Sequence, residues 1–157
     1  MLSFIFNKIH FLHYRYFDIK SFYYKKLLLS CGYSFKLWGN CYIKNPNKII
    51  IGNNVSINDN CYLNGLGEIQ IGNNVSLSAN SMLISTGLNI DTFKIKKEHI
   101  NKKITIGNNV QVGAGAIILS GVTVNDNVII GAGSVVIKDI ESNCIVVGNP
   151  ARVLRKI

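Results

Sequence analysis

"IGNNV" stands at residues 51–55, returns unchanged at 71–75 and 106–110, and recurs as "VNDNV" at 124–128. Between these marks an aliphatic residue comes at every sixth position: Ile51, Ile57, Leu63, then Ile71, Leu77, Leu83, then Ile106, Val112, Ile118, then Val124, Ile130, Val136. Leu37 and Ile43 carry the series backwards. Two residues ahead of most of them sits a small or β-branched residue: Val55, Cys61, Val75, Ser81, Val110, Ala116, Val122, Val128 and Ser134. A six-residue unit with two inward positions and a turn is too short for a helix pair or a propeller blade. It suits one side of a parallel β-helix, in which three units close a triangular coil and stacked coils bury a continuous aliphatic ladder. The strands of a β-sandwich would not hold a period of six over so many units. Asn and Gly fill the turns because they tolerate the left-handed backbone that tight corners demand.

Two interruptions break the period. Leu63 to Ile71 is eight residues, a small corner insertion, and Leu83 to Ile106 is twenty-three. The second marks a long loop, about residues 89–105, which is basic (Lys94, Lys96, Lys97, Lys102, Lys103) and holds His99. A long loop on a rigid solenoid is usually functional or disordered. Upstream, "YFDIKSFYYKKLLLSCG" (residues 16–32) reads as a helix ending at Gly32, which divides the chain into an N-terminal helical capping segment, 1–36, and a β-helix domain, 37–157. Such a helix caps the open end of a solenoid, and peripheral membrane contact is its sharper reading.

The chain has 157 residues and a formal net charge of +9, which calls for an anionic partner such as nucleotide phosphates, nucleic acid or a membrane surface. No nucleic-acid-binding motif or stacking platform accompanies that charge. The opening "MLSFIFNKIHFLHYRYF" is broken by Lys8, His10, His13 and Arg15, too often for a signal-peptide core, and a cytoplasmic location is expected. Cys31, Cys41, Cys61 and Cys144 have neither metal-type spacing nor a dense disulfide pattern, and Cys41 and Cys61 fall on small inward positions where thiols pack as core.

The hexapeptide units resemble those of the left-handed β-helix acyltransferases. "VGAGAIILSGVTVNDNVIIGAGSVVIKDI" followed by "VVGNPARVLRKI" is similar to the end of the galactoside, maltose and polysaccharide O-acetyltransferase group, and the likeness runs from about Leu37 to Ile157. The resemblance implies an all-β left-handed solenoid and acetyl-CoA-dependent transfer to a sugar hydroxyl in cell-surface polysaccharide biosynthesis. It implies no metal, and a homotrimer with sites between subunits. Residue by residue, it puts Ala132 and Gly133 of "GAGS" along the pantetheine arm of acetyl-CoA, and Lys138 and Arg152 along its nucleotide end. Gln111 stands where the family often has Trp, and Ala114 where some members have Ser. Asn58 falls on an acceptor-binding Asn.

The family's catalytic histidine is missing. Leu88 occupies its position, or Asn89 if the register moves by one, and neither side chain takes a proton from a hydroxyl. General-base assistance is worth about 10²–10⁴-fold. His99 is the remaining candidate, since serine acetyltransferases place a functional His shortly before the same coil. The alternative is a non-catalytic trimeric relative that binds CoA or a glycan. The three-histidine zinc site of the β-helix carbonic anhydrases has no counterpart in the regular coils.

Overall fold

The computed structural model describes residues 2–157, and the side chains of residues 2–7, 9–11 and 13 lie outside the described set, His10 and His13 among them. The chain winds in about six turns around a triangular core, touching three parallel sheets in order on each turn. The first face stacks Ser30–Cys31, Ile49–Ile51, Ile69–Ile71, Ile104–Ile106 and Thr123–Val124. The second stacks Lys36–Leu37, Val55–Ile57, Val75–Leu77, Val110–Val112, Val128–Ile130 and Cys144–Val147. The third stacks Tyr42–Lys44, Tyr62–Asn64, Met82–Ile84, Ile117–Leu119 and Val135–Val136.

Every member of the six-residue aliphatic series, from Leu37 to Val136, is buried, and so is each of the small residues two positions ahead. Register keeps like above like: Ile51 pairs with Ile71, which pairs with Ile106, which pairs with Val124. Each such aliphatic contributes about 1.5–3 kcal/mol on full burial, so the ladder drives the fold.

The corner between the first and second faces explains the repeated "GNN". Asn54, Asn74, Asn109, Asn127 and Asn143 all have φ between 55° and 60°. Their amides form one ladder: each Nδ2 donates to the Oδ1 above it at 2.9–3.0 Å. Beside it, Oδ1 of Asn73 and of Asn108 and a carboxylate oxygen of Asp126 each accept the backbone N–H of the residue below. A Cβ on Gly72 would come within 2.6 Å of the Gly107 carbonyl oxygen, so stacking of the coils requires glycine there.

Helix α1 spans Leu2–Leu27, longer towards the N-terminus and shorter at its end than the sequence suggests. The chain then enters the solenoid at Ser30–Cys31, ahead of residue 37. Phe17, Ser21 and, just past the helix, Leu28 pack inward; Ser21 Oγ accepts the Leu37 N–H at 2.9 Å and donates to the Phe17 carbonyl at 2.7 Å, replacing a missing coil below the second face. At the other end Arg152–Lys156 adds antiparallel to Cys144–Val147 and closes the exposed edge.

All irregular insertions fall at the corner between the third and first faces: a short 3₁₀ turn at Pro46–Lys48, residues 65–68, and the long loop.

Candidate active site

The long loop is an extended hairpin. Thr86–Leu88 pairs antiparallel with His99–Asn101, with Thr86 opposite Asn101, Gly87 opposite Ile100 and Leu88 opposite His99. Residues directly opposite in an antiparallel pair project from the same face, with Cβ atoms about 4.5–5.5 Å apart. The only imidazole outside α1 thus stands beside Leu88, the side chain that the sequence resemblance sets at the histidine position. Both are solvent-accessible, Leu88 at 45%. The hairpin continues through Asn89 N–H to the Glu98 carbonyl at 2.8 Å, and Lys96 pairs with Glu98 at 2.9 Å. Asn89 Oδ1 accepts the Asp91 N–H at 3.2 Å, so this side chain shapes the turn. At the base, buried Ser85 anchors the loop: its Oγ accepts the Gly67 N–H at 2.8 Å and its carbonyl accepts the Lys102 N–H at 3.0 Å.

Of the residues that the resemblance sets along the cofactor, all but Gln111 border the outer surface of the third face. Ala114 and Ala132, with Gly133, lie at its corner with the second face, where Gly133 N–H donates to the Ala114 carbonyl at 2.8 Å. Gly115 and Gly133 both have φ of +66°, and a Cβ there would meet nothing within 4 Å, so this corner presents bare backbone to solvent. On the opposite border, Lys138 and Arg152 line one cleft of about 290 Å³ with Asp139, Ile140, Ala151 and Val153. Two cations at one cleft suit phosphates. Gln111 points along the second face, its Nε2 donating to Ser78 Oγ at 2.9 Å.

Asn58 sits at the corner between the second and third faces and the hairpin at the next corner, so one chain does not bring Asn58 together with Leu88 and His99. Asn58 Nδ2 donates to the Leu77 carbonyl at 2.8 Å. Trp38, whose backbone N–H donates to the carbonyl of Ile57, stands beside it and lines a cleft of about 550 Å³ with Lys36, Ser56 and Ser76. Ser56 Oγ and Ser76 Oγ are 3.0 Å apart, and Lys36 Nζ lies 4.4 Å from the indole centroid.

Two features escaped the sequence reading. One is the Trp38 cleft, whose members are spread over three coils. The other is the outward side of the third face, which is apolar from Met82 and Ile84 through Ile117 and Leu119 to Val135 and Ile137, where the first face presents Gln70, Thr105 and Thr123. The signal was present: the residues flanking inward Leu83, Ile118 and Val136 are themselves apolar, whereas those flanking Ile43 and Leu63 are Tyr42, Lys44, Tyr62 and Asn64.

Three of the thiols, Cys41, Cys61 and Cys144, are buried in the core, and Cys31 is half-buried. Burial first, then the neighbouring Cys61, pushes the Cys41 thiol up to about 11. Cys61 is raised by burial as well, and its Sγ lies 3.3 Å from Ser81 Oγ.

Residues 103–138 match the family model described as bacterial transferase hexapeptide (six repeats). A Dictyostelium discoideum protein named as an acetyltransferase is 62% identical over 56 residues, which is 36% of this chain and 30% of that protein's length. The crystal structure of a maltose O-acetyltransferase from Clostridium difficile 630 is 37% identical, with a TM-score of 0.80 over 85% of this chain and 72% of that one. Galactoside acetyltransferase in complex with coenzyme A is 34% identical, with a TM-score of 0.70 over 85% of this chain and 68% of that one. The solenoid is accordingly the left-handed parallel β-helix of those enzymes, and the chain belongs to the hexapeptide-repeat acetyltransferase family.

Proposed function

We propose that this chain is an acetyl-CoA-dependent O-acetyltransferase acting in the cytoplasm on a sugar hydroxyl of cell-surface polysaccharide synthesis, with His99 as its general base. The observation that carries the catalytic part is the register of the hairpin, which sets His99 directly opposite Leu88. In the step so envisaged, the imidazole takes the proton of the acceptor hydroxyl as its oxygen attacks the thioester carbonyl. The tetrahedral oxyanion collapses, the C–S bond breaks, and the departing CoA sulfur takes the proton back from the imidazolium. Leu88 supplies an apolar wall beside the base. Lys138 and Arg152 hold the nucleotide phosphates, and the bare backbone at Ala114, Ala132 and Gly133 leaves room for the thin pantetheine arm.

The functional unit is a homotrimer in this reading. The apolar outward side of the third face supports it, since an aliphatic strip of this kind is covered when subunits meet. So does the separation of Asn58 from the hairpin, because a neighbouring subunit can bring one chain's Asn58 to the other's His99. The Trp38 cleft beside Asn58 supports a sugar acceptor: an indole face packs against sugar C–H groups while Ser and Asn side chains take the hydroxyls.

The test is CoA thiol release from acetyl-CoA over a panel of sugars. The wild-type chain should turn over at least one sugar, His99→Ala should lose about 10²–10⁴-fold in kcat with acetyl-CoA affinity kept, and Leu88→His should restore turnover in the His99→Ala background. Equal activity of His99→Ala and wild type would remove His99 from the mechanism. Acetyl-CoA binding without turnover by any of the variants would favour the non-catalytic binding subunit.

A further inference from the structure

Helix α1 uses only one side to dock on the solenoid. Phe17, Ser21, Tyr24 and Leu28, spaced i, i+4, i+7 and i+11, face the body of the protein. Leu12, Tyr16, Ile19 and Tyr23 have the same spacing on the far side of the helix, and they stand in solvent, Leu12 and Ile19 about two-thirds exposed. Phe22 adjoins them and is equally bare. Arg15 and Lys26 border this strip, with Lys26 Nζ 5.6 Å from the Phe22 ring. The one acid of the helix, Asp18, is turned to Lys36 of the first coil at 3.1 Å. The apolar strip is therefore framed by cations whose charge no acid of the helix offsets, on a chain of net charge +9.

We propose that this strip lies on an anionic lipid bilayer surface, with α1 in the plane of the headgroups and the solenoid carried above it. Three properties select that occupant. No described helix is long and apolar enough to cross a membrane, so the helix lies on the surface. Half of the strip is tyrosine. A protein–protein seam would have to find partners for the Tyr16 and Tyr23 hydroxyls, whereas at a headgroup boundary the ring is buried and the hydroxyl stays hydrated. The bordering Arg15 and Lys26 match anionic headgroups, each such cation being worth about fivefold in partitioning.

Vesicle flotation with the full chain tests this, and it needs neither acetyl-CoA nor turnover, so its outcome is independent of the proposed activity. The probes are vesicles of phosphatidylcholine alone and of phosphatidylcholine with about one-third phosphatidylserine. The wild-type chain should float with the anionic vesicles and remain behind with neutral ones. Arg15→Glu with Lys26→Glu should reduce flotation more than tenfold, and so should Leu12→Glu with Ile19→Glu. Both double variants change exposed residues only and should keep the wild-type melting temperature, and raised salt should weaken the wild-type chain as charge reversal does. A wild-type chain indifferent to both vesicles overturns the proposal. If, in that case, Leu12→Glu with Ile19→Glu also lowers the oligomer mass in sedimentation, a second copy of the chain covers the strip instead.

Discussion

Replacing Asn109 separates the two jobs that the asparagine ladder performs. Its side chain accepts from Asn74 Nδ2 and donates to Asn127 Oδ1, both at 3.0 Å, and its backbone sits at φ 55°. Each amide bond is exposed, so its net worth lies at the low end, about 0.5 kcal/mol, and losing both costs about 1 kcal/mol. Alanine adds the strain of a Cβ in the left-handed region, about 1–2 kcal/mol. Glycine avoids that strain but adds about 0.5–1 kcal/mol of unfolded-chain entropy. Asn109→Ala should therefore cost about 2–3 kcal/mol and Asn109→Gly about 1.5–2. Asn143 ends the ladder and makes one of these bonds, so Asn143→Ala should cost about 0.5 kcal/mol less than Asn109→Ala. The assay is urea unfolding at one fixed protein concentration, since assembly makes stability depend on it. An Asn109→Gly chain no more stable than Asn109→Ala would refute the view that the backbone conformation, and not the amide alone, selects asparagine.

Three further outcomes follow, one from the cofactor cleft and two from Cys41. Lys138→Ala and Arg152→Ala should each weaken acetyl-CoA binding by about tenfold in equilibrium dialysis, with the oligomer mass unchanged. The Cys41 thiol, raised to about 11, stays protonated at pH 8, so iodoacetamide should label half-buried Cys31 first and Cys41 only on unfolding. Because the folded value lies above the unfolded one, the stabilisation from keeping Cys41 neutral is complete below about pH 9 and is lost as pH rises towards 11. Urea midpoints of wild type should fall across that window, and those of Cys41→Ala should fall less.

The coils were legible because one residue type at one spacing does one physical job. Ile51, Ile71 and Ile106 mark the same inward slot, and the chain has no other way to bury them together. Lys138 and Arg152, which the resemblance sets along the nucleotide end of the cofactor, are fourteen positions apart in the chain, and the fold brings them to one cleft. His99 was singled out from the sequence, but its place opposite Leu88 was not legible, because nothing in "LNIDTFKIKKEH" states that the loop is a hairpin; its register depends on the turn at residues 90–95 and on Ser85 holding the base. The Trp38 cleft was invisible for a related reason: Trp38, Ser56 and Ser76 become neighbours only through the twenty-residue turn of the solenoid. Helix α1 was misjudged at both ends. The sequence was read for a cap or a membrane contact without separating the two faces, although the docking side (Phe17, Ser21, Tyr24, Leu28) and the strip from Leu12 to Tyr23 share one period.

The most direct measurement is the fate of an isotopically labelled acetyl group. Labelled acetyl-CoA is incubated with the wild-type chain and a mixture of polysaccharide precursors, and the glycan fraction is treated with mild alkali. Acetyl transfer to a sugar hydroxyl predicts label in the glycans that alkali releases as acetate, since an ester is cleaved where an amide survives. Label that resists alkali would place the acetyl group on nitrogen, and acetyl-CoA recovered intact beside both the wild-type and Leu88→His chains would contradict catalysis altogether.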